Sequence, residues 1–345
     1  MRLGIYTRYH RHEATYAAIR VADHAKHTGH DVQIFTDDRH QAKVCSRWDH
    51  HVLATGPAAF TEWAAKQDVI FWTHVPPEGQ LHWARKQNKR TIVLALWNEL
   101  RSSHRKVLKQ ASIVLCPTKV VATLLRRRWR LTNCLITHWD VGLPIVTKDD
   151  MNPVTAPRVL VPTELAVPQF SPETAMMLDQ ILLCCPDVTI TVTYVPSRWC
   201  REAVSALRGL QRRYRGRLTP LPSVREEDRP LLFQQHDVTA WLSLEDNFAY
   251  GALYSLTMGT PVLSFASPAA DSLLTNTDSV VVPCSIRENG LGVPRVVPDY
   301  PTYLQFLLGV LVDPGMIPVM RTTEPGYLID RRAAFTAFWD GILGT

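Results

Sequence analysis

The chain has 345 residues, of which 46% are hydrophobic and 20% are charged, and this composition argues against a disordered chain. The length fits two domains of ordinary size. The net charge of +6 favours polyanionic partners such as nucleic acid, acidic lipid or a nucleotide diphosphate, although many enzymes carry as much positive charge without binding nucleic acid.

The first half of the sequence alternates short apolar strands with helices. Residues 2–7 predict a strand, residues 12–28 predict a helix that Gly29 ends, and residues 31–35 predict a second strand. The pattern repeats, with predicted strands at 69–72, 91–96 and 113–116 and predicted helices at 79–88, 101–110 and 118–129. Such alternation predicts a parallel sheet covered by helices on both faces.

The second half resumes this pattern after a linker. Residues 146–157 combine prolines with charged residues, which is typical of a linker. Predicted strands follow at 158–161, 188–194, 238–242 and 279–283, with a predicted helix at 201–214. These features divide the chain into a first domain at 1–145, a second domain at 158–326 and a C-terminal segment at 327–345. That segment contains a predicted helix, which packs either on its own domain or back on the first.

The most informative stretch spans residues 245–262, where a strand end, an acidic turn, a helix and a Gly-Thr-Pro turn lead into a new apolar strand. Asp246 or Asn247 can cap the helix, because short polar side chains accept hydrogen bonds from the free N–H groups of a first turn. Gly259 can end the helix, and Pro261 cannot continue it. A helix N-terminus beyond a strand end is a place to hold a diphosphate.

This stretch resembles the donor-site segment of family-4-type GT-B glycosyltransferases, in which an acid and Gly-Phe-Gly precede Leu-Glu-Ala-Met and Gly-x-Pro-Val. Asp246 falls on the first acid, and Tyr254 falls where the family has its second Glu. The other matching positions are Phe248, Leu253, Gly259, Pro261 and Val262. The resemblance implies an α/β protein of the GT-B fold, with two Rossmann-like doubly wound domains facing a central cleft. Nucleotide-sugar 2-epimerases and some glycogen-type phosphorylases share this architecture.

The resemblance also implies an activity. It implies transfer of a hexose, glucose first, from a nucleotide diphosphate sugar such as UDP-glucose, which is a co-substrate, with retention at the anomeric carbon. Tyr254 lacks the charge of the family's second Glu. Residues 162–165 lie where the family carries an Arg and a Lys, and they contain no cation. These departures favour a further hypothesis, a degenerate GT-B protein that binds without catalysing.

Residues that follow the strands are the candidate ligand contacts, because doubly wound sheets bind ligands beyond the carboxyl ends of their strands. Glu245 and Asp246 are predicted to hold sugar hydroxyls, since each carboxylate oxygen accepts two hydrogen bonds, and the sequence leaves open which of them faces the donor. Arg198 and Arg201 are the predicted cations for the diphosphate. The other predicted donor contacts are Asn247, Phe248, Tyr250, Gly251, Tyr254, Ser223 and Val224.

The first domain is predicted to receive the acceptor. His74 is a candidate for activating the acceptor hydroxyl or contacting the sugar, and it joins Glu245 and Asp246 as a predicted catalytic residue. The densest basic run, residues 126–130, contains arginines for phosphate contact and a tryptophan for base stacking. The predicted acceptor contacts are His10, Arg11, His12, Trp97, Glu99, Arg127, Arg128 and Trp129.

Two classes of acceptor fit a basic first domain. One is a 5-hydroxymethylpyrimidine in double-stranded DNA, the substrate of phage-type DNA glucosyltransferases, which must flip the target base out of the stack. Ten tryptophans and the compact size favour it slightly. The other is a cell-surface or lipid-linked glycan, where basic residues meet acidic lipid.

The sequence also predicts that the protein lacks a membrane span, a signal peptide and a metal site. No stretch approaches the roughly 20 uncharged apolar residues of a membrane span, and the N-terminus lacks the features of a signal peptide. We therefore expect a cytoplasmic protein, in the host cytoplasm if the chain is of phage origin.

The seven cysteines form no C-x-x-C pair, which favours reduced thiols. The histidines lack the spacing of a zinc site, so we expect no metal and no permanently bound cofactor.

Overall fold

The computed structural model of the chain describes residues 1–7, 12–36, 51–53, 57–148, 154–163, 171–194, 201–222, 224–244, 247–274, 277, 279–288, 294–320 and 325–344. The chain divides into two compact units. Unit 1 contains Met1–Gly142 and Asp330–Thr345, and unit 2 contains Leu143–Asn289 and Pro294–Ile329. Within the described ranges, no helix is both long enough and apolar enough to cross a bilayer.

Unit 1 is built on a seven-stranded parallel sheet in the order β3-β2-β1-β4-β5-β6-β7. Its strands are β1 (Arg2–Tyr6), β2 (Asp31–Thr36), β3 (His51–Leu53), β4 (Val69–Trp72), β5 (Arg90–Leu94), β6 (Ile113–Cys116) and β7 (Cys134–Ile136). Its connecting helices are α1 (His12–His27), α2 (Pro57–Ala65), α3 (Glu78–Lys86), α4 (His104–Leu108) and α5 (Lys119–Trp129). The central strand β4 is apolar and buried throughout, as a sheet covered on both faces requires.

The elements of unit 1 differ from the predictions mainly at its edges. The five inner strands lie where the sequence predicts them. The edge strands β3 and β7 are not predicted, because three residues are too few to show a period of two. The nine-residue helix α2 is not predicted either. Helix α4 is half as long as predicted, since residues 102–103 form a turn before it.

Aromatic rings fill the core of unit 1 beside the first strands. The rings of Tyr6 and Phe35 stack with centroids 5.3 Å apart, and the Phe35 ring lies 4.9 Å from that of Trp63. Gly4 allows this packing, because a Cβ at that position would lie 2.7 Å from the Trp63 ring. Strand β1 therefore requires a glycine in order to lie under the indole.

The last helix, α13 (Pro325–Leu343), contributes residues 330–343 to unit 1. Arg331 donates a hydrogen bond to the Trp139 carbonyl over 2.8 Å. The buried carboxylate of Asp140 accepts hydrogen bonds from Arg332 over 3.0 Å and from Arg20 over 2.5 Å. The Trp339 ring lies 5.3 Å from that of Phe71 in β4. The ion pair between Arg332 and Asp140, the hydrogen bond of Arg331 and the packing of Trp339 therefore hold this part of α13 in unit 1.

We expect Asp140→Ala to lower the free energy of unfolding of unit 1 by about 2–3 kcal/mol, because it removes a buried acceptor shared by two arginines. Chemical denaturation followed by tryptophan fluorescence measures this change. The matched control is Glu62→Ala, which removes an exposed carboxylate 3.5 Å from Lys66 and should cost less than about 0.5 kcal/mol. Equal losses in the two variants would contradict the role of Asp140.

Unit 2 is built on a six-stranded parallel sheet in the order β10-β9-β8-β11-β12-β13, with a separate antiparallel pair β14-β15. The sheet strands are β8 (Arg158–Pro162), β9 (Thr189–Tyr194), β10 (Leu218–Pro222), β11 (Val238–Trp241), β12 (Val262–Phe265) and β13 (Val280–Val282), and the pair is β14 (Ser285–Glu288) and β15 (Pro294–Val297). The helices are α6 (Pro172–Cys184), α7 (Arg201–Arg213), α8 (Arg229–Gln234), α9 (Tyr250–Thr257), α10 (Pro268–Leu274), α11 (Tyr300–Val312) and α12 (Met316–Met320).

A buried polar network lies at the amino ends of β11 and β12. The Lys148 ammonium donates to the His236 carbonyl and to the Thr260 hydroxyl, each over 2.7 Å. Gly259, with a φ of 68°, makes the turn after α9, and a Cβ there would lie 2.7 Å from the Val146 carbonyl oxygen. This turn therefore fixes residues 146–148, part of the predicted linker, onto the body of unit 2.

The His236 imidazole is buried in the same network. Its Nδ1 lies 2.6 Å from the Leu232 carbonyl oxygen and its Nε2 lies 2.8 Å from the Thr191 hydroxyl. Burial lowers the pKa of His236 below its ordinary value, with the charges of Arg158 and Lys148 acting in the same direction and that of Asp237 opposing them. The folded protein therefore holds this imidazole neutral.

We expect His236 to make unit 2 less stable in mild acid. The unfolded chain takes up a proton near the ordinary histidine pKa of about 6.5, whereas the folded chain takes it up only at lower pH, so stability falls as the pH falls below that value. Thermal unfolding midpoints at pH 7.5 and pH 5.5 measure the effect. His236→Gln should reduce the difference between the two midpoints, and the control His82→Gln, at an exposed position in α3, should leave it unchanged.

Candidate functional site

The segment predicted to bind the donor connects β11 to β12 through α9 in unit 2. All of α9 is buried, although it is only eight residues long. It begins at Tyr250, and Ala249 precedes it in a left-handed conformation with φ 51° and ψ 45°. The N-cap position is thus Ala249, two residues after Asn247, whereas the sequence analysis predicted Asp246 or Asn247 there, and Asp246 lies outside the described residues.

Five of the described donor residues lie between β11 and β12, namely Asn247, Phe248, Tyr250, Gly251 and Tyr254. Asn247 and Phe248 are buried, and the Phe248 ring lies 5.2 Å from that of Tyr250. Gly251 faces β11 so closely that a Cβ would lie 2.0 Å from the Trp241 ring. Gly251 therefore has a packing reason in this chain, which is the direct contact between α9 and the indole of β11.

Tyr254, at the position of the family's second Glu, is 4% exposed. Its ring stacks on that of Phe233 in α8, with centroids 5.8 Å apart and an angle of 18°. Its side chain also interacts with the charge of Arg229, the first residue of α8. Arg229 is 6% exposed, and its Nη2 lies 3.4 Å from the carbonyl oxygen of Val224, one of the predicted donor contacts.

Sequence reasoning missed Arg229. The signal that was available is its spacing from Phe233, because residues four apart in a helix lie on the same face and the aromatic residue predicts a buried face. The Pro that follows Arg229 also marks the start of a helix. Buried Arg229 and the stacked rings of Phe233 and Tyr254 therefore form a part of the candidate site that no sequence motif predicts.

Several predicted residues lie outside the described residues. These are Glu245, Asp246, Arg198, Ser223, His10 and Arg11. For Arg201 and His12 the structure gives only their positions as the first residues of α7 and α1. The roles predicted for these eight residues remain predictions.

In unit 1, His74 follows β4 at the carboxyl edge of the sheet. It is 3% exposed, and its ring lies 5.1 Å from that of Tyr6 at the end of β1. The carboxyl ends of β1 and β4 are neighbours in the sheet, which places His74 where doubly wound sheets bind ligands.

Two of the predicted acceptor contacts are core residues. Trp97 is 2% exposed and Trp129 is 6% exposed, and both belong to the hydrophobic core of unit 1. Trp129 lies four residues after Leu125 in α5, so the helical period places it on the buried face. Burial in the core argues against both residues as acceptor contacts, and against Trp129 as a ring that stacks on an acceptor base. Glu99 is half-buried next to Trp97.

Arg127 and Arg128 are exposed, and they belong to a larger basic face. Unit 1 has 24 Lys and Arg against 13 Asp and Glu, whereas unit 2 has 14 against 19. Helices α3, α4 and α5 pack on one core cluster. The exposed cations on and beside them are Arg85, Lys86, Arg101, Arg105, Lys106, Lys109, Lys119, Arg126, Arg127, Arg128 and Arg130. We call these eleven residues the basic face of unit 1.

The described residues contain no cluster of three or more His, Cys, Asp or Glu side chains arranged to hold a metal ion.

Comparison with known proteins gives matches in structure. No protein-family model matches the chain, and no curated protein matches its sequence. The chain is similar to Anabaena HepE in complex with UDP and glucose, with a TM-score of 0.71 and 12% identity over 100% of this chain and 98% of that one. It is similar to sucrose-phosphate synthase from Thermosynechococcus elongatus, with a TM-score of 0.72 and 14% identity over 99% and 98% of the two chains.

A third similar structure is WaaG, a glycosyltransferase involved in lipopolysaccharide biosynthesis, with a TM-score of 0.66 and 12% identity over the whole of both chains. These neighbours are GT-B glycosyltransferases. The predicted fold class is confirmed: the chain has the GT-B fold, with two parallel α/β units of the Rossmann-like kind.

We expect Gly251→Ala to disturb the donor segment, because its new Cβ overlaps the Trp241 ring and α9 must move. The cost should be about 1–3 kcal/mol of unfolding free energy. The matched control is Gly209→Ala in α7, where a Cβ meets nothing within 4 Å and alanine should stabilise the helix by about 0.5–1 kcal/mol. Thermal unfolding compares the two variants, and shifts in the same direction would contradict the packing argument.

Proposed function

We propose that the protein is a nucleotide-sugar-dependent glycosyltransferase that transfers a hexose, glucose in the first instance, from a UDP-sugar to a hydroxyl acceptor. The observation that carries the proposal is the donor segment at residues 245–262, which follows β11 within a GT-B fold that extends over the whole chain. HepE, similar in structure over 98% of its chain, is described in complex with UDP-glucose. The co-substrate proposed here is accordingly UDP-glucose, with no permanently bound cofactor.

The proposed mechanism is retaining, as the resemblance to family-4-type enzymes implies. Glu245, Asp246 and Asn247 hold the sugar hydroxyls so that the anomeric carbon faces the acceptor. The leaving diphosphate is neutralised by cations and takes part in removing the acceptor proton. Arg198 and Arg201 are proposed for that charge, and His74 is proposed as the unit 1 residue that contacts the sugar or the acceptor hydroxyl.

The proposed acceptor is anionic, because unit 1 carries the basic face. Its exposed arginines and lysines suit a row of phosphates, whose neutralisation releases counterions and makes binding depend on salt. Of the anionic acceptors we propose 5-hydroxymethylpyrimidine in double-stranded DNA first. Since Trp97 and Trp129 are buried, the flipped base must be held by other groups.

The test of the proposal is transfer from UDP-, GDP- and ADP-sugars to duplex DNA that contains hydroxymethylcytosine or hydroxymethyluracil. We expect a mass gain of one hexose on the modified nucleoside with UDP-glucose. Asp246→Ala should abolish the gain, because it removes the predicted sugar contact, whereas the control Glu227→Ala, at an exposed acid paired with Arg225, should retain it.

Other outcomes of this experiment have separate meanings. Tight binding of a UDP-sugar without transfer to DNA moves the acceptor to a cell-surface or lipid-linked glycan, which the basic face also suits. Tight donor binding without turnover on any acceptor supports the degenerate GT-B binding protein, which Tyr254 at the position of the second Glu favours. Absence of donor binding overturns the proposed function.

A further inference from the structure

A long stretch of unit 1 contains no acidic residue. Residues 100–139 include nine Lys and Arg and neither Asp nor Glu, whereas the whole chain has 38 Lys and Arg against 32 Asp and Glu. The structure describes this stretch throughout and places all nine cations at exposed positions. Clustered charges of one sign create a strong local potential, which attracts a partner of the opposite sign. The stretch is therefore a candidate surface for an anion that carries several charges.

Six of these cations gather where α4 and α5 end. The Arg105 Nε donates a hydrogen bond over 3.3 Å to the carbonyl of Trp129, the last residue of α5. The Arg126 Nη2 donates over 2.7 Å to the carbonyl of Cys134, the first residue of β7. Because β7 begins there, this end of the helices lies at the amino edge of the sheet. We call its six exposed cations the amino-edge patch: Arg105, Lys109, Arg126, Arg127, Arg128 and Arg130.

The amino-edge patch lies away from the edge of the sheet where ligands bind. In a parallel sheet the helix after a strand starts at the carboxyl edge and returns to the amino edge. Thr118, just after β6, caps the start of α5 by accepting a hydrogen bond from the Val121 N–H over 3.3 Å. The eleven residues of α5 then span about 16 Å. The patch is therefore separated by a helix length from the carboxyl edge, where His74 lies.

The internal contacts of the patch leave it able to bind an anion. Cations at the C-terminus of a helix offset the partial negative charge of that end, which accounts for part of the arrangement. A guanidinium has five N–H donors, so Arg105 and Arg126 can each hold a carbonyl and also donate to a phosphate. The Glu78 carboxylate contacts Gln110, next to Lys109, over 3.3 Å and offsets part of the charge.

The surroundings of the patch favour phosphates of a nucleic acid over a lipid surface. The exposed large apolar side chains within residues 100–139 are Val120, Leu135 and Ile136. Val120 starts α5 and Ile136 ends β7, so both lie at the carboxyl edge. Leu135 points to the face of the sheet opposite to that of Cys134. A segment that binds a bilayer combines cations with apolar side chains that enter it, and such side chains lie elsewhere in this stretch.

We propose that the amino-edge patch is a second binding surface of unit 1, which holds backbone phosphates of duplex DNA about 16 Å from the carboxyl edge, where the acceptor hydroxyl reacts. This inference rests on the proposed function, which supplies duplex DNA as the partner. It adds that the phosphates held here belong to nucleotides remote from the modified base. The patch therefore contributes affinity without taking part in base recognition.

The first test is fluorescence anisotropy with a labelled, unmodified duplex of about 30 base pairs over a range of salt concentrations. The variant Lys109→Gln/Arg127→Gln removes two exposed cations of the patch. Each lost phosphate contact lowers the steepness of the plot of log affinity against log salt by about 0.9, so we expect a slope less steep by about 1.8. We expect the affinity of this variant at about 100 mM salt to be about tenfold lower.

The matched control is Arg208→Gln/Arg212→Gln, which makes the same change in net charge at exposed positions of α7 in unit 2. Its affinity and slope should equal those of the wild type within about twofold. Equal losses in the two double variants would show that net charge alone governs binding, and would overturn the inference. A lower thermal unfolding midpoint of Lys109→Gln/Arg127→Gln with unchanged DNA affinity would assign these cations to the helix ends and overturn it as well.

The second test addresses the distance between the patch and the reacting base. Duplex DNA advances 3.4 Å per base pair, so about 16 Å corresponds to about five base pairs. We therefore compare transfer to hydroxymethylcytosine in a hairpin duplex with about 4 base pairs on each side of the base and in one with about 15. The longer duplex should have a KM about tenfold lower, and Lys109→Gln/Arg127→Gln should lose this difference. Equal KM values for the wild type would contradict the remote position.

Failure of the inference and failure of the proposed function are distinguishable. Duplex binding that depends on the patch, without hexose transfer to any acceptor, supports the inference and removes the proposed activity. Hexose transfer to DNA that does not depend on the patch overturns the inference alone. Binding to phosphatidylserine vesicles that depends on the patch, without binding to the duplex, overturns DNA as the partner in favour of acidic lipid. A wild type that neither binds the duplex nor transfers hexose overturns both.

Discussion

The packing of α9 against β11 is the constraint on which the candidate donor site depends. Every residue of α9 is buried, and Gly251 touches the Trp241 ring with no room for a Cβ. The Ser255 hydroxyl bonds the Thr239 hydroxyl in β11 and the Thr260 carbonyl, both over 2.7 Å. A helix held along its whole length positions the residues at its start with little freedom, and a binding site benefits from that rigidity.

The regular parts of the fold follow from local patterns in the sequence. Apolar runs of four to six residues, separated by segments with helical periodicity, identify the inner strands of both sheets. Gly259 marks the end of α9, because the turn there requires a residue that tolerates a positive φ. The edge strands β3 and β7 and the hairpin β14-β15 are too short to show a period. The start of α9 was missed because Ala249 adopts a left-handed conformation, which short-range propensity disfavours for alanine.

The site was less predictable than the fold, because burial is a tertiary property. Trp97 follows β5 and Trp129 ends α5, where ligand contacts also occur, and yet both rings belong to the core cluster of unit 1. Arg229 presents the opposite case. An arginine is usually exposed to solvent, whereas its helical spacing from Phe233 predicts a buried position. Packing between distant parts of the chain determines the burial of these three residues. A motif comparison finds only residues that the family shares, so it does not predict that burial.

Polar side chains are buried or half-buried at both edges of the unit 2 sheet. At the amino ends of β11 and β12, Lys148, His236 and Thr260 form hydrogen bonds of 2.6–2.8 Å, as polar groups in a stable interior do. At the carboxyl edge, the Arg229 guanidinium is buried beside Tyr254, and its Nη2 lies 3.4 Å from the Val224 carbonyl oxygen. Moving a charge out of water is costly, so a cation is retained at each edge only next to other polar groups. Because doubly wound sheets bind ligands at the carboxyl edge, Arg229 lies on the side of the sheet where the donor segment begins.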